Sequence, residues 1–236
     1  MIIGKNPVLE YLRSGKPVNK ILISNTLVID ALVKEVLRIA KEKRITVKFV
    51  PQKILDEQFK GRTHQGIAAL ITGFNYAKLK DVIRSDAFLI ALEHVQDPHN
   101  LGAVIRTAES LGAHAVIITK RESAEVTDTV FKASAGAASY LPIVKVTNLN
   151  NAFALMRRYN ISIVGLEVNA KLEIGDAKLK GPVCFVLGSE SEGLRHSTIQ
   201  ACDYTVRIPM KGRISSLNVS VSAAIAMYEK IRQENK

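Results

Sequence analysis

Three stretches of the chain collect residues with chemical potential. The first runs from His94 to Ala113 (HVQDPHNLGAVIRTAESLGA) and carries Asn100, Arg106 and Glu109. Asn100 reads as a helix cap. Arg106 and Glu109 are three residues apart and so are neighbours on a helix, where an exposed ion pair is the simplest reading. The second runs from Phe185 to Leu194 (FVLGSESEGL), a strand ending in a glycine loop. Gly188 allows a ligand close to the backbone; the glutamates that follow also suit a helix N-terminus. The third runs from Arg207 to Glu229 (RIPMKGRISSLNVSVSAAIAMYE). Ser216 and Asn218 either cap the apolar helix that follows or form partly buried polar groups in need of partners. Each stretch is a strand, a loop with glycine or proline, then a helix. If the strands are parallel, the three loops share one edge of the sheet, and open α/β sheets bind ligands at the carboxyl ends of their strands.

Several common chemistries lack their motifs. There is no GxGxxG after a strand, no GxxxxGK[ST] phosphate loop and no HExxH. No GxSxG is present, and the Gly188–Gly193 run carries Glu190 where a nucleophilic serine would stand. His94, His99 and His114 show no metal-ligand spacing, so no metal is expected. Cys184 and Cys202 form no CxxC pair and read as buried, reduced thiols.

The elements that must position these stretches follow from apolar patterning. A helix from Asn6 to Arg13, strands at Val18–Ser24, Ile45–Val50 and Gly66–Ile71, and a helix within Val28–Lys43 make a small α/β unit. Past it, short apolar strands recur at Phe88–Leu92, Ala115–Ile118, Ile161–Gly165, Val183–Leu187 and Tyr204–Ile208, with helices between them. Such runs predict a mostly parallel sheet covered on both faces. The expected organisation is a first domain over 1–73, a polar linker over 74–85 and a second domain over 86–236. The net charge is +11. It is uneven: residues 1–85 hold 16 Lys+Arg against 7 Asp+Glu, and residues 86–236 hold 17 against 15. Positive charge concentrated in one region favours a polyphosphate partner. The N-terminus shows no apolar run of signal-peptide or membrane-spanning length, so a cytoplasmic protein without a membrane partner is expected.

At these residues the sequence resembles a known family. Asp97–Arg106 (DPHNLGAVIR), Leu187–Glu190 with Gly193 and Leu194, and Ile208–Ser220 (IPMKGRISSLNVS) look, in order, like the three motifs of the SpoU (SPOUT/TrmH-like) RNA ribose 2'-O-methyltransferases. Lys132–Ala137 (KASAGA) resembles a further element between the first two. Ile3–Val8 and His64–Ala68 resemble the RlmB-like branch, which acts on a guanosine of large-subunit (23S) ribosomal RNA.

The resemblance implies an α/β protein with a C-terminal trefoil-knotted methyltransferase domain and a small N-terminal RNA-binding domain, ribosomal-protein L30e-like. It also implies S-adenosyl-L-methionine as cofactor, RNA as partner and a homodimer with a composite active site. The cofactor is expected at Gly188, Ile208 and Leu217. The catalytic set is expected to be Arg106, Asn100, Glu190, Ser216 and Asn218, with Arg106 binding an RNA phosphate, since arginine stays protonated. Lys5, Arg13, Lys16, Lys20 and Arg62 are expected to contact RNA phosphates without reading sequence. Transfer RNA is the alternative substrate, and a catalytically silent RNA-binding protein of the same fold is the alternative class.

Overall fold

Residues 1–189, 192–214 and 216–235 are described in the computed structural model of the protein. They divide into two units, Met1–Asn75 with Glu125–Tyr140, and Tyr76–Ala124 with Leu141–Lys236.

In the first unit, β1 (Ile2–Ile3), β2 (Lys20–Ser24), β3 (Thr46–Val50) and β4 (Ile67–Leu70) form a sheet of order β1-β4-β2-β3. Its helices are α1 (Lys5–Arg13), α2 (Ala31–Glu42) and α3 (Gln52–Gln58). The helix expected within Val28–Lys43 starts at Ala31, because Asp30 caps it by accepting the Val33 N–H. The two N-terminal signatures meet in space. Ile2 and Ile3 pair with Ala69 and Ala68, and the Gln65 side-chain oxygen accepts the Lys5 N–H at 2.9 Å, satisfying an orphan donor of α1. His64 is buried and holds both neighbours: its Nδ1 accepts the Gly66 N–H at 3.0 Å and its Nε2 donates to Asp56 at 2.9 Å.

The second unit opens earlier than the expected linker would allow. Ala77 donates its N–H to Ile143 O at 2.9 Å, and α4 (Leu79–Val82) follows. Next come β5 (Phe88–Leu92), α5 (Pro98–Ser110) and β6 (Ala115–Thr119). Then α6 (Asp128–Ala133) belongs to the first unit, where Phe131 packs edge-on to Tyr11 and Phe74 with ring centroids 5.6 and 5.9 Å apart. The Lys132–Ala137 element thus sits in the first unit, although the domain expected over 86–236 would contain it.

The chain then supplies β7 (Ile143–Val146), α7 (Leu149–Arg157), β8 (Ser162–Leu166), β9 (Leu172–Glu173), β10 (Val183–Leu187), α8 (His196–Gln200), β11 (Tyr204–Arg207) and α9 (Val219–Glu234). The seven strands order as β7-β6-β5-β10-β8-β11-β9, all parallel. β5, β6 and β10 are buried along their whole length, as parallel strands covered on both faces must be. β10 enters between β5 and β8, two strands already laid down. On one face, α5 packs against α9; on the other, Phe153 and Met156 of α7 pack with Leu89, Ile117, Ile163 and Val186.

Burial, with Arg84 adding to it, holds the His114 imidazole below its ordinary value of 6.5. Its Nδ1 accepts the Phe88 N–H at 2.9 Å, which only the neutral ring can do. A folded-state pKa below the unfolded one gives stability that is complete above about pH 6.5 and lost as pH falls toward the folded value. The urea midpoint is expected to drop between pH 7 and pH 5, and His114→Gln to show a shallower drop. An unchanged slope in the variant would remove His114 as the cause.

Candidate functional site

The carboxyl ends of β8, β10 and β11 open into a cavity of about 470 Å³. Leu187, Gly188, Ser189, Glu192 and Gly193 form one wall, at the end of β10. Val206, Arg207, Ile208 and Met210 form a second, at the end of β11. Ser216, Leu217 and the start of α9 close a third, and Leu166 to Asn169 follow β8 on the fourth.

The β10 turn is very tight. Ser189 O accepts the Gly193 N–H at 2.9 Å, and Ser189 Oγ accepts the Glu192 N–H at 3.2 Å. Gly193 takes the left-handed conformation with φ +66, where glycine carries no steric cost. A Cβ at Gly188 would overlap the Gly193 carbonyl and the Leu194 nitrogen, so residue 188 has no room for any side chain. Glu93, the residue after β5, spans this turn. Its N–H donates to Leu187 O (2.8 Å) before the turn, and its carboxylate accepts the Arg195 N–H (2.9 Å) and Thr198 Oγ1–H (2.6 Å) after it. The carboxylate is buried, and both its oxygens are satisfied.

The loop after β5 reaches the same region. Asp97 caps α5 by accepting the His99 N–H at 2.9 Å. This corrects the expectation that Asn100 caps the helix: Asn100 lies in its first turn, and its Oδ1 accepts a hydrogen bond from Asn218 Nδ2 at 3.0 Å. Asn218 in turn caps α9, accepting the Ser220 N–H (2.9 Å) and hydroxyl (2.6 Å). One asparagine pair therefore ties the first stretch to the third.

The structure brings Gly188, Ile208, Leu217 and Ser216 into the walls of one cavity and Asn100 and Asn218 into contact. Arg106 is not among the lining residues. It is exposed on α5, and among the described residues it has no ion-pair partner; the expected pair with Glu109 does not form. Glu190 lies outside the described residues. The sequence reading passed over Glu167, Asn169, Arg207 and Met210, which also line the cavity. Their signal was position, since Glu167 directly follows a strand and Arg207 ends one. Arg207 is already neutralised by Glu173 at 3.0 Å.

Four of the five basic residues assigned to phosphate contacts are engaged within the first unit. Lys5 pairs with Asp30 (2.5 Å), Arg13 with Glu10 (3.0 Å), and Arg62 with both oxygens of Asp128 (2.8 and 2.9 Å). Lys16 donates to Ala138 O at 3.4 Å and lies 5.2 Å from the Phe74 ring centre, and burial lowers its pKa. Only Lys20, of the five, has no side-chain partner among the described residues. Both cysteines are free thiols; burial pushes Cys184 up, and burial with Asp203 pushes Cys202 up to about 12, so neither is a ready nucleophile. Among the described residues, no helix is long and apolar enough to cross a membrane.

Comparison with known proteins fits this geometry. The sequence model of the SpoU rRNA Methylase family matches residues 87–228, and that of RNA 2'-O ribose methyltransferase substrate binding matches residues 1–77. YacO of Bacillus subtilis, assigned to the TrmH family of tRNA/rRNA methyltransferases, is 36% identical over 240 residues, covering 99% of this chain and 96% of its own. An uncharacterized tRNA/rRNA methyltransferase of Mycolicibacterium vanbaalenii is 37% identical over 239 residues, covering 99% of this chain and 76% of its own. The SpoU methyltransferase AviRb of Streptomyces viridochromogenes, solved in complex with AdoMet, superposes with a TM-score of 0.88 at 27% identity, covering 100% of this chain and 90% of its own.

The crowding at Gly188 gives a direct test. Gly188→Ala must displace backbone, which does not yield as a side chain does, so a loss at or above the usual overpacking range of about 1–3 kcal/mol is expected. Calorimetry should show no binding of S-adenosylhomocysteine, with thermal unfolding several degrees lower. Wild-type affinity in the variant would show that the turn is looser than described.

Proposed function

Because the chain belongs to the SpoU rRNA methylase family, we propose that it transfers a methyl group from S-adenosyl-L-methionine to a ribose 2'-hydroxyl of RNA. The substrate in this reading is a guanosine of large-subunit (23S) ribosomal RNA. One observation carries it: the walls of a single cavity bring Gly188, Ile208 and Leu217 together, and the Asn218–Asn100 bond joins that cavity to α5, the helix that carries Arg106.

The cavity suits the cofactor. Gly188 leaves backbone rather than side chain at the wall, and Val206, Ile208, Met210 and Leu217 offer apolar surface for a planar base. When bound, the cofactor supplies an electrophilic methyl group on a sulfonium. The protein's task is then to hold a sugar oxygen in line with it, and alignment alone can be worth about 7–11 kcal/mol. Arg106 stays charged and binds the phosphate beside the target ribose. Asn100, held by Asn218, orients the ribose, and the phosphate or a water takes the hydroxyl proton. Ser216 and Glu190 complete the catalytic set by ordering the loops around the cavity.

The catalytic domain in this reading is trefoil-knotted and works as a homodimer in which Arg106 of one protomer serves the cavity of its partner. Support for the dimer comes from apolar side chains left in solvent on α9 and the segment before it: Val221 and Tyr228 on the helix, and Met210 and Ile214 ahead of it. The N-terminal unit holds the RNA, with Lys5, Arg13, Lys16, Lys20 and Arg62 as phosphate contacts. For the four already engaged, contact with RNA requires exchange or sharing of their internal partners. Transfer RNA is the second substrate reading, because the relatives' names cover both tRNA and rRNA.

Mapping 2'-O-methylated nucleotides in RNA from cells with and without the protein tests the substrate; loss of a transfer RNA mark instead of a ribosomal one would replace it. Arg106→Ala is expected to lower methylation at least 100-fold with S-adenosylhomocysteine affinity kept within about threefold, and activity within a few-fold of wild type would take Arg106 out of the mechanism. Light scattering on the same preparations checks the dimer. Lys20→Ala should reduce the slope of log affinity against log salt by about 1; an unchanged slope would free Lys20 of any phosphate contact.

A further inference from the structure

The cavity wall after β8 carries a carboxylate, Glu167, that has no part in aligning the ribose or the methyl group. Glu167 directly follows Leu166, the last residue of β8, and is half-buried. Its Oε1 accepts the Asn169 N–H at 3.3 Å, which fixes the side chain against its own turn. Its Oε2 is the nearest atom to the space a Cβ would fill at Gly193, 3.9 Å from that point, so it faces the glycine turn of β10 across the cavity. Among the described residues Glu167 has no cationic partner, whereas Arg207, on the neighbouring wall, is paired with Glu173.

β8 is the parallel neighbour of β10, register Val183↔Ser162 through Val186↔Gly165. A glycine turn at the end of one parallel strand, with an acidic residue at the end of the adjacent strand, is how open α/β sheets take a nucleoside: the glycines admit the ligand and the carboxylate accepts its ribose hydroxyls. The present chain lacks the GxGxxG sequence, but its geometry provides both parts. A vicinal diol offers two O–H donors, and an ionised carboxylate is an acceptor only. A carboxylate also suits a ligand of net positive charge, and the two remaining acidic or basic candidates on the walls are less suited. Glu192 is exposed on the turn itself, and Arg207 offers donors that the diol does not need.

We propose that Glu167 is the residue that recognises the ribose diol of the cofactor's nucleoside, and so selects a ribonucleoside ligand over a deoxy one. The inference rests on the cofactor reading of this cavity and goes beyond it by assigning a specificity determinant.

Calorimetric titration with S-adenosylhomocysteine and with its 2'-deoxy and 3'-deoxy analogues tests it without any methylation assay. Hydrogen bonds to a charged acceptor are worth roughly ten- to hundredfold in affinity. Wild type is expected to bind at least one deoxy analogue about tenfold or more weakly than the parent. Glu167→Ala should bind all three alike, at the level of the weakened analogue, and Glu167→Gln should fall between. A circular-dichroism melt close to wild type establishes that the variants fold. Equal binding of all three ligands by wild type, or undiminished discrimination by Glu167→Ala, would overturn the assignment. Absence of any S-adenosylhomocysteine binding to wild type would instead overturn the cofactor reading, and the assignment with it.

Discussion

Glu93 grips the β10 turn at both ends. Its backbone N–H meets Leu187 O where the strand ends, and its buried carboxylate meets Arg195 N–H and Thr198 Oγ1 where α8 begins. Between those points the chain must return so closely that Gly188 and the Gly193 peptide touch. A buried carboxyl group is costly without hydrogen bonds and strong with them, so loss of the Thr198 hydroxyl would leave one of its oxygens buried without a partner. The cavity keeps its shape because this one residue, directly after the neighbouring strand β5, fixes the separation between the start and the end of the turn.

The same strand links the other half of the site. Seven residues after Glu93 comes Asn100, which accepts the Asn218 amide, and Asn218 sets the first turn of α9. A displacement of the β5 end is therefore felt in the β10 turn and in the α9 cap together. This coupling depends on strand order: β10 lies directly beside β5, in register from Val183↔Phe88 to Leu187↔Leu92, so both strands finish at the same height.

The parts of this arrangement that are legible in the sequence are those written in local patterning. Phe88–Leu92 and Val183–Leu187 are uninterrupted apolar runs, and the structure has strands with the same bounds. The parallel sheet and the meeting of three loops follow from such runs alternating with helices. Other features depend on long-range partners and leave no local trace. Asn100 has the composition of a cap, yet Asp97 followed by Pro98 claims that position and frees Asn100 to pair with the cap of the neighbouring helix α9. β9, two residues long, is too short to stand out, and β7 is a four-residue run broken by Lys145; they lie at the two edges, where apolar continuity is not required. Ion pairing of Arg62 with Asp128 links residues far apart in the chain, so a basic residue that counts toward the net charge proves already matched.

Membership of Glu125–Tyr140 in the first unit has a consequence for how the protein can be divided. The N-terminal unit is discontinuous: its aromatic seam places Phe131 against Tyr11 and Phe74, and its Arg62 side chain against Asp128. A fragment ending at Asn75 would carry half of that seam and expose two rings to water. The remaining portion, cut away on its own, would retain α6 with Phe131 and no seam for it to fill. Neither piece is a clean excision, and swapping substrate-binding modules between relatives would have to transplant two stretches of chain rather than one.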